Sequence, residues 1–554
     1  MPRALLFLLI AAPAFAQAPH QAVEGKAGMV VAVSPPAVEV GVEVLRMGGN
    51  AVDAAIAVGF AEAVTWPEAG NIGGGGFMVV HPGDGRPPAV FDYREKAPAA
   101  ATVDMFAKGV DYSSPKTAGV PGTVRGFALA HKRFGKLPWK DLVLPAVKLA
   151  EDGFTVNAAL AGRLNGVLGE RSSANPEFRR VYGKPGGGKW QAGDMLKLPD
   201  LAKTLRAVAE RGPDAFYTGE LAKLLEAEMK AGGGLITAAD LTKYEAKERT
   251  PVHTTYRGYD VYGAPPPSSG GVTLGLMLNM LEGYDLAKHP RHSPETVHLL
   301  TEVMRRAYCE RAKHLGDADF VTVPVGLLTD KAFAKSLAAG IDPAKATPSA
   351  ALADEIPLAD GGTETTHYSV VDKAGMAVSN TYTLENSFGC KVVVRGAGYI
   401  LNNEMTDFNH KPGVTDRRGN IGTPANRITP GKRMLSSMTP TIVAKDGKPV
   451  LVTGSPGGRT IINTVLCVVV NTIDYKMPTQ AAVDAPRQHH QWFPDRLSLE
   501  PTPGFEELVG KLKAMGHAVG KSRQGDAHTI AIDPATGVRS GGADRRLDGK
   551  AAGE

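Results

Sequence analysis

Cysteine is scarce in this chain of 554 residues, and the three cysteines, Cys309, Cys390 and Cys467, lie far apart. None of them stands in a C-x-x-C or C-x-x-H spacing, so the sequence predicts no zinc cluster built on thiolates. A small and odd count also excludes a disulfide framework. We therefore expect all three to pack in the core as small hydrophobic residues.

A strong excess of charge is also missing. Lys and Arg number 62 against 57 Asp and Glu, which gives a formal net charge of +5. A surface that follows nucleic-acid phosphates needs a clear basic patch, so we expect no nucleic-acid partner. The composition, with 43% hydrophobic residues, is that of a globular protein. At roughly 150 residues per domain the length allows three or four domains or one large one.

Long hydrophobic runs are absent outside the first residues. The apolar run 4–12 follows Met1-Pro2-Arg3 and precedes Ala14-Phe15-Ala16, a pattern typical of a secretory signal peptide. It is about half as long as a membrane span requires. We expect cleavage after Ala16 and a periplasmic or secreted protein without a membrane anchor. The short apolar run 465–470 is predicted to be a buried core element.

Common motifs of hydrolases and nucleotide-binding proteins are missing as well. The sequence contains no G-x-S-x-G, no H-E-x-x-H and no G-x-x-x-x-G-K-[ST]. The four glycines 73–76 do not complete G-x-G-x-x-G, and they predict a tight backbone crossing instead. On a strand, the neighbours His489 and His490 would point to opposite faces, so we expect structural roles for them rather than one metal site.

The patterns that are present indicate a layered α/β fold with helices outside. Apolar periodicity predicts helices, the second of them capped by Asn50, at residues 38–47, 51–64, 201–209, 221–230 and 294–313. Runs of β-branched residues predict strands at 367–372, 377–384, 439–445, 450–453 and 528–532. The mixed burial pattern of these strands favours sheets covered by helices on one face and packed on the other. Residues 344–364 are predicted to be an exposed loop that leads into the strand starting near Thr365.

Three threonines, Thr363, Thr365 and Thr366, stand where this loop becomes a strand. Threonine at the start of a strand is ordinary, because it has a high β propensity. Farther along the chain, residues 435–438 and 454–458 place small side chains and backbone N–H groups in turns between predicted strands. Acyl-transfer chemistry needs such N–H groups to stabilise an oxyanion, and a glycine pair lets the backbone come close enough.

Several segments then resemble the γ-glutamyltranspeptidase family. Its small subunit is matched by residues 365–372 (TTHYSVVD), 401–408 (LNNEMTDF), 435–442 and 453–458. The earlier half of the chain is similar to family segments, in the family order, at 48–55 (GGNAVDAA), 70–77 (GNIGGGGF), 92–95 (DYRE) and 121–124 (PGTV). The resemblance covers nearly the whole mature chain.

The resemblance implies an N-terminal nucleophile hydrolase, a four-layer αββα sandwich formed jointly by two fragments of one self-cleaved chain. Cleavage between Glu364 and Thr365 would follow a signal peptide of residues 1–16. It would leave a large subunit, 17–364, and a small catalytic subunit, 365–554, as an intertwined heterodimer. Thr365 would then carry its own base, because an α-amine with a pKa near ~8 is partly neutral around pH 7. The residues alone leave Thr363 and Thr366 open as nucleophiles, and the family register selects Thr365.

Further catalytic roles follow from the same resemblance. Thr383 would hydrogen-bond the nucleophile and assist processing. Gly457 and Gly458 would supply the N–H groups of the oxyanion hole.

Substrate-binding roles are implied for six residues. Arg94 would hold the α-carboxylate of the γ-glutamyl group, a task that suits the two-pronged geometry of guanidinium. Asp407, helped by Glu404, would pair with the α-ammonium, and Ser436 and Ser437 would bind the carboxylate end. Glu385 stands where many family members carry Asn, although Glu also occurs there in the family, and donor recognition is expected to be tuned differently.

A second departure from the family lies in residues 411–432, which resemble a lid loop over the substrate. Arg418 stands there where the family often has an aromatic residue. This departure bears on lid closure and on the balance between hydrolysis and transfer.

The implied activity is that of a γ-glutamyltransferase and glutathione hydrolase, with no cofactor and no metal. A γ-glutamyl ester on Thr365 would react with water, amino acids or dipeptides. Two alternatives stay open. A glutaryl or cephalosporin acylase has no α-ammonium to bind, so Asp407 and Glu404 argue against it. An uncleaved secreted binding or scaffolding protein is opposed by Thr365 together with the Gly457-Gly458 pair.

Overall fold

The computed structural model describes residues 21–169, 175–352, 358–360, 365–411, 413–416 and 419–554. The signal peptide predicted at residues 1–16, Thr363, Glu364 and Arg418 lie outside the described residues.

Strands occur along the whole described chain. They are β1 (Val23–Gly25), β2 (Met29–Ala32), β3 (Gly75–His81), β4 (Ala89–Asp92), β5 (Phe154–Thr155), β6 (Met195–Leu196), β7 (Lys247–Arg249), β8 (Val252–Tyr256), β9 (Tyr259–Gly263), β10 (Leu358–Asp360), β11 (Thr366–Val371), β12 (Ala377–Thr383), β13 (Gly419–Ile421), β14 (Thr441–Lys445), β15 (Lys448–Thr453), β16 (Gln488–His489), β17 (Leu497–Leu499), β18 (Val519–Lys521), β19 (His528–Ile532), β20 (Arg539–Ala543) and β21 (Lys550–Gly553).

Helices alternate with these strands. They are α1 (Pro35–Arg46), α2 (Ala51–Thr65), α3 (Thr123–Phe134), α4 (Trp139–Asp152), α5 (Ala158–Leu168), α6 (Pro176–Tyr182), α7 (Pro199–Arg211), α8 (Asp214–Tyr217), α9 (Gly219–Gly232), α10 (Ala238–Thr242), α11 (Gly270–Leu281), α12 (Pro294–His314), α13 (Val325–Leu328), α14 (Lys331–Ala338), α15 (Ile461–Ile473), α16 (Thr479–Asp484) and α17 (Phe505–Ala514).

Two seven-stranded antiparallel sheets form the centre of the molecule. The first has the strand order β21-β2-β11-β12-β3-β4-β7, and the second has the order β1-β20-β19-β15-β14-β9-β8. Each sheet combines strands from before and after residue 365. The small sheets β16-β17-β18, β5-β6 and β10-β13 lie outside this core.

The two large sheets pack face to face, with helices on their outer faces. Met29 and Phe77 of the first sheet share one apolar cluster with Ile442 and Ile530 of the second. The outer face of the first sheet packs against a cluster that includes α1, α2 and α4, and α11, α12 and α15 cover the second. The order of layers is therefore αββα, as the resemblance implied.

The predicted elements are present within a few residues of their predicted bounds. The five helices correspond to α1, α2, α7, α9 and α12, and the five strands to β11, β12, β14, β15 and β19. Asn50 caps α2 as expected, since its side chain accepts hydrogen bonds from the N–H groups of Val52 and Asp53. Residues 465–470 lie inside the buried helix α15.

The expectations for cysteine are confirmed, and one loop prediction is wrong in part. Cys309, Cys390 and Cys467 are buried and unbridged. Within the predicted exposed loop 344–364, however, Ser349 is fully buried, and its hydroxyl accepts a hydrogen bond from Arg305 and donates one to the carbonyl of Trp492. No helix in the described part of the chain combines the length and apolar character that crossing a membrane requires.

Candidate active site

Thr365 and Thr383 lie at the same end of two neighbouring strands. Thr365 immediately precedes β11 and is half-buried. β11 and β12 are antiparallel, with Thr366 opposite Tyr382. Continuing this register places Thr365 opposite Thr383, the last residue of β12. The Thr383 hydroxyl accepts a hydrogen bond of 2.7 Å from the N–H of Glu385.

A cavity, here called the first cavity, opens beside Thr365. Nine of the ten predicted site residues line it: Thr365, Thr383, Arg94, Glu385, Glu404, Asp407, Ser436, Ser437 and Gly458. The tenth, Gly457, lines an adjoining second cavity, which Thr365 also borders. The fold therefore gathers residues from both halves of the sequence around Thr365.

The glycine run 73–76 fixes the end of β12. A Cβ atom at Gly74 would lie 2.0 Å from the carbonyl oxygen of Thr383, so only glycine allows this approach. Asn71 donates a 2.8 Å hydrogen bond to the same oxygen and accepts one of 3.0 Å from the N–H of Gly74. The predicted tight backbone crossing is confirmed, and it positions Thr383.

Gly457 and Gly458 adopt backbone conformations that favour glycine, with φ values of +126° and +54°. The sequence predicts a turn between strands here, but residues 454–458 instead connect β15 to a 3₁₀ turn, Gly458–Thr460, that leads into α15. The first turn of a helix has N–H groups without partners in the helix. This location suits the predicted oxyanion hole, whose geometry stays a prediction.

Arg94 is bound to the carboxylates that were predicted to hold a substrate ammonium. It follows β4 and is 1% exposed. One terminal nitrogen donates to Glu404 and the other to Asp407. The guanidinium therefore already has two carboxylate partners from the protein itself. Its predicted role, binding the α-carboxylate of a substrate, stays a prediction. The ion pairs themselves were not predicted.

Two further buried acids surround this ion-pair cluster. Glu95 lies 3.6 Å from a terminal nitrogen of Arg94, and burial raises its pKa to about 7. Burial also raises the pKa of Glu385 well above its ordinary value, and the negative charges of Asp407 and Glu404 add to this effect. Like charges this close favour protonation of some members. The cluster thus holds more carboxyl groups than the single guanidinium of Arg94 can balance.

On another wall of the first cavity, a buried arginine, Arg311, hydrogen-bonds to serine hydroxyls. Arg311 of α12 donates 2.8 Å hydrogen bonds to the hydroxyls of Ser437 and Ser269. Burial, with the nearby charge of Arg459, lowers the pKa of Arg311 to about 10. The Ser436 hydroxyl accepts a 3.1 Å hydrogen bond from the N–H of Met438. The sequence analysis did not identify Arg311, because a charge in an amphipathic helix usually belongs to its solvated face.

Histidine clusters lie elsewhere in the molecule. His489 and His490 hydrogen-bond to Asn463 and Asp495, in keeping with structural roles. His298, Glu302 and His517 come close enough to hold a metal ion. However, Glu302 accepts hydrogen bonds from Arg305 and Arg306, and their positive charges oppose a metal there.

Comparisons with known proteins agree with this geometry. Residues 37–554 match the sequence model of gamma-glutamyltranspeptidase. The chain belongs to the γ-glutamyltranspeptidase family. A relative from Escherichia coli K12, named glutathione hydrolase proenzyme, is 47% identical over 523 residues, which cover 92% of this chain and 89% of the relative.

Solved structures place this γ-glutamyltranspeptidase family member among similar folds. The cephalosporin acylase from Bacillus halodurans superposes with a TM-score of 0.84 at 28% identity and 99% coverage of both chains. The γ-glutamyltranspeptidase from Helicobacter pylori has a TM-score of 0.55 at 40% identity, and the match covers 61% of this chain and 95% of the other. The fold implied by the sequence is confirmed.

The mouth of the first cavity carries apolar groups in this family member. Tyr112 and Val414 line the cavity and are 39% and 43% exposed. Val414 and Thr423 belong to the predicted lid, residues 411–432. The predicted effect of Arg418 concerns a residue outside the described part of the chain.

Proposed function

We propose that the protein is a self-cleaving γ-glutamyltransferase and glutathione hydrolase. One observation carries the proposal: the cavity beside Thr365 has an acidic wall, formed around Asp407 and Glu404, and a second wall where Arg311 supports Ser437. A γ-glutamyl group carries an α-ammonium and an α-carboxylate, and these walls offer opposite charges to the two groups. The name of the Escherichia coli relative, glutathione hydrolase proenzyme, supports glutathione as a donor.

The proposed precursor cleaves itself between Glu364 and Thr365. The fragments 17–364 and 365–554 then form the active heterodimer. Cleavage frees the α-amine of Thr365, which becomes the base for its own hydroxyl. Export to the periplasm or the medium through the signal peptide at residues 1–16 is part of the same proposal.

In the proposed reaction, the donor binds with its α-ammonium at Asp407, Glu404 and Glu385. Its α-carboxylate binds at Ser436 and Ser437, where Arg311 lends positive charge. We keep Arg94 as a candidate carboxylate ligand as well. In the structure it also holds Glu404 and Asp407 in place through their ion pairs.

The proposed chemistry proceeds in two steps. The Thr365 hydroxyl gives its proton to the α-amine, and Oγ attacks the γ-amide carbonyl. The N–H groups of Gly457 and Gly458 stabilise the oxyanion. The C–N bond then breaks, and the leaving amine takes the proton from the α-ammonium. Water, or the amine of an amino acid or dipeptide, next attacks the ester carbonyl and gives a proton to the α-amine. The C–Oγ bond then breaks, and the proton passes from the α-ammonium to Oγ, which restores the Thr365 hydroxyl.

A second candidate function is that of an acylase, since the cephalosporin acylase from Bacillus halodurans has the same fold across 99% of both chains. A glutaryl group lacks the α-ammonium of a γ-glutamyl group. Four acids, Glu95, Glu385, Glu404 and Asp407, would then lie around Arg94 without a ligand cation to balance them. This charge balance favours the γ-glutamyl substrate.

The decisive experiment combines intact mass, N-terminal sequencing and two substrates. We expect two fragments, the smaller beginning Thr-Thr-His, and hydrolysis of a γ-glutamyl anilide in preference to a glutaryl anilide. Thr365→Ala should remain one chain without activity, whereas the exposed control Thr242→Ala should cleave normally. A single uncut chain in the unchanged protein would contradict the mechanism, and preference for glutaryl anilide would support the acylase.

A further inference from the structure

An exposed tyrosine from the earlier part of the chain reaches the mouth of the first cavity. Tyr112 lies on the segment between β4 and α3 and is 39% exposed. It lines the first cavity together with Glu385 and Asp407. No step of the proposed reaction uses this residue. Aromatic side chains that line a pocket commonly contact its ligand, so Tyr112 is a candidate for substrate contact.

Two packed rings fix the position of Tyr112. The centroid of its ring lies 6.4 Å from that of His410, at an interplanar angle of 66°. His410 in turn packs against Phe106 at 5.3 Å and 68°. Phe106 is buried in an apolar cluster that also contains Phe408, the residue after Asp407. This row of rings therefore runs from a buried cluster to the cavity mouth and holds Tyr112 on the side of Asp407.

Two negative charges act on Tyr112. Burial raises the pKa of its hydroxyl, and the carboxylates of Glu385 and Asp407 raise it further. These are two of the acids at which the α-ammonium of the donor is proposed to bind. His410 adds little positive charge at neutral pH, because burial lowers the pKa of its imidazole. A cation held by the acids would thus lie beside an uncharged aromatic ring.

An aromatic ring in this position strengthens cation binding in two ways. The face of the ring carries partial negative charge and attracts a cation that lies within about 6 Å of the ring centre. The ring also keeps water away from one side of the acids, and a lower local dielectric strengthens the attraction between ammonium and carboxylate. The edge-on contact with His410 leaves at least one face of the Tyr112 ring uncovered by the imidazole. A substrate without an ammonium gains from neither effect.

We propose that Tyr112 is a specificity-determining residue, whose ring closes the acidic wall of the first cavity over the α-ammonium of a γ-glutamyl donor. This inference rests on the proposed function, because it needs that ammonium to bind at Glu385, Glu404 and Asp407. The ring favours γ-glutamyl donors over glutaryl donors, which lack the ammonium. Donor selection then depends on both proposed fragments, since Tyr112 belongs to residues 17–364 and the three acids belong to residues 365–554.

The test measures kcat and KM of the cleaved protein for a γ-glutamyl anilide and a glutaryl anilide. Tyr112→Leu removes the ring but keeps an apolar side chain. It should raise KM for the γ-glutamyl anilide about 3- to 30-fold, the range of a cation–π contact, with kcat nearly unchanged. Tyr112→Phe keeps the ring face and should stay within about twofold of the parent, as should both variants with the glutaryl anilide. Inhibition by free glutamate and by glutarate gives the same comparison without turnover.

Tyr259→Leu is the matched control, because Tyr259 is a partly buried tyrosine on β9 that lines neither cavity. It should leave kcat and KM unchanged for both anilides. An unaltered KM in Tyr112→Leu would overturn the proposal, and so would an equal loss with the glutaryl compounds or a Phe variant as weak as the Leu variant. A cleaved parent protein that does not hydrolyse the γ-glutamyl anilide would instead contradict the proposed function.

Discussion

At the scale of single residues, the most unusual feature is the concentration of acids around Arg94. Glu95, Glu385, Glu404 and Asp407 lie in or beside one buried region, and Arg94 pairs with two of them directly. Buried acids without a counter-charge destabilise a fold. Their position next to Thr365 is therefore better explained by substrate binding than by stability.

Asp407→Asn tests this explanation. The substitution keeps the size of the side chain but removes the charge that would face a substrate ammonium. Losing a charged partner costs about 1.5–3 kcal/mol, so kcat/KM for a γ-glutamyl anilide should fall about 10- to 100-fold. Residual hydrolysis of a glutaryl anilide should not fall in parallel. Equal losses for both substrates would show that Asp407 does not recognise the ammonium.

Glu95 gives a prediction about pH. Its pKa is raised from 4.5 to about 7, so the folded state keeps this proton at pH values where the unfolded chain has lost it. The resulting stabilisation is present below pH 4.5 and is lost as the pH rises to about 7. Above about pH 7 the carboxyl group of Glu95 is ionised in the folded state as well as in the unfolded chain. Burying that charge then makes the folded state less stable than it would be with a neutral side chain at this position.

Glu95→Gln should therefore be more stable than the parent at pH 8, by about 1–3 kcal/mol, and close to it at pH 5. Urea unfolding of the uncleaved Thr365→Ala protein, with and without the second change, measures this difference at both pH values. The exposed Glu506→Gln is the control and should follow the parent at each pH. A Glu95→Gln protein that is equally destabilised at both pH values would refute the titration.

At the scale of elements, the crossing of β3 and β12 holds the site together. Gly74→Ala would place a methyl group against the carbonyl of Thr383 and against Asn71. The Thr383 carbonyl belongs to the backbone, and the Asn71 side-chain amide is held by hydrogen bonds to Ala69, Thr383, Gly74 and Thr123, so neither can move away freely. We expect a loss of about 1–3 kcal/mol in stability and a shift of Thr383 that lowers activity at least tenfold.

Gly510→Ala is the control for this substitution. It lies in α17, and a Cβ atom there would meet nothing within 4 Å. Alanine should stabilise that helix by about 1 kcal/mol and leave activity unchanged. Thermal unfolding and γ-glutamyl anilide hydrolysis measure both effects. Full activity in Gly74→Ala would mean that the crossing does not position Thr383.

The elements also show why the sequence predicted some parts of the fold and missed others. α2 and β19 were found because a capping residue and a β-branched run mark them locally. β3 was missed as a strand, because it begins with two glycines, which have low β propensity. The mixed polar and apolar pattern of the later strands predicted a layered fold, the family resemblance supplied the order αββα, and the order of strands within each sheet was not predicted.

The site residues also fall into two groups, those that the sequence predicted and those that it missed. Thr365, Asp407 and Ser436 stand in segments that resemble the family, so they could be identified as candidate site residues from the sequence. Arg311 reaches the site from α12, where even charged positions such as Glu302 are buried. A helical charge pattern does not reveal which cations face a cavity. Such long-range contacts depend on packing between elements that lie far apart in the chain.

At the scale of the whole molecule, the proposed cleavage before Thr365 would cut a chain whose two parts share both sheets. In the first sheet, β11 and β12 lie between β2 and β3, and β21 pairs with β2. In the second sheet, β1 pairs with β20, and β9 pairs with β14. The proposed large and small subunits are therefore joined by backbone hydrogen bonds in both sheets, and by the apolar cluster between them.

We predict that the two fragments stay together until the whole fold unfolds. Backbone pairs in both sheets and the shared core must break at once, so the free energy of separation should equal that of unfolding rather than that of a surface contact. After cleavage, size-exclusion chromatography should give one species of heterodimer mass or larger, and fluorescence and far-ultraviolet circular dichroism should report the same urea midpoint. The uncleaved Thr365→Ala protein is the control. Fragments that separate on dilution in native buffer, or unfold at two distinct midpoints, would contradict the interlocked arrangement of the sheets.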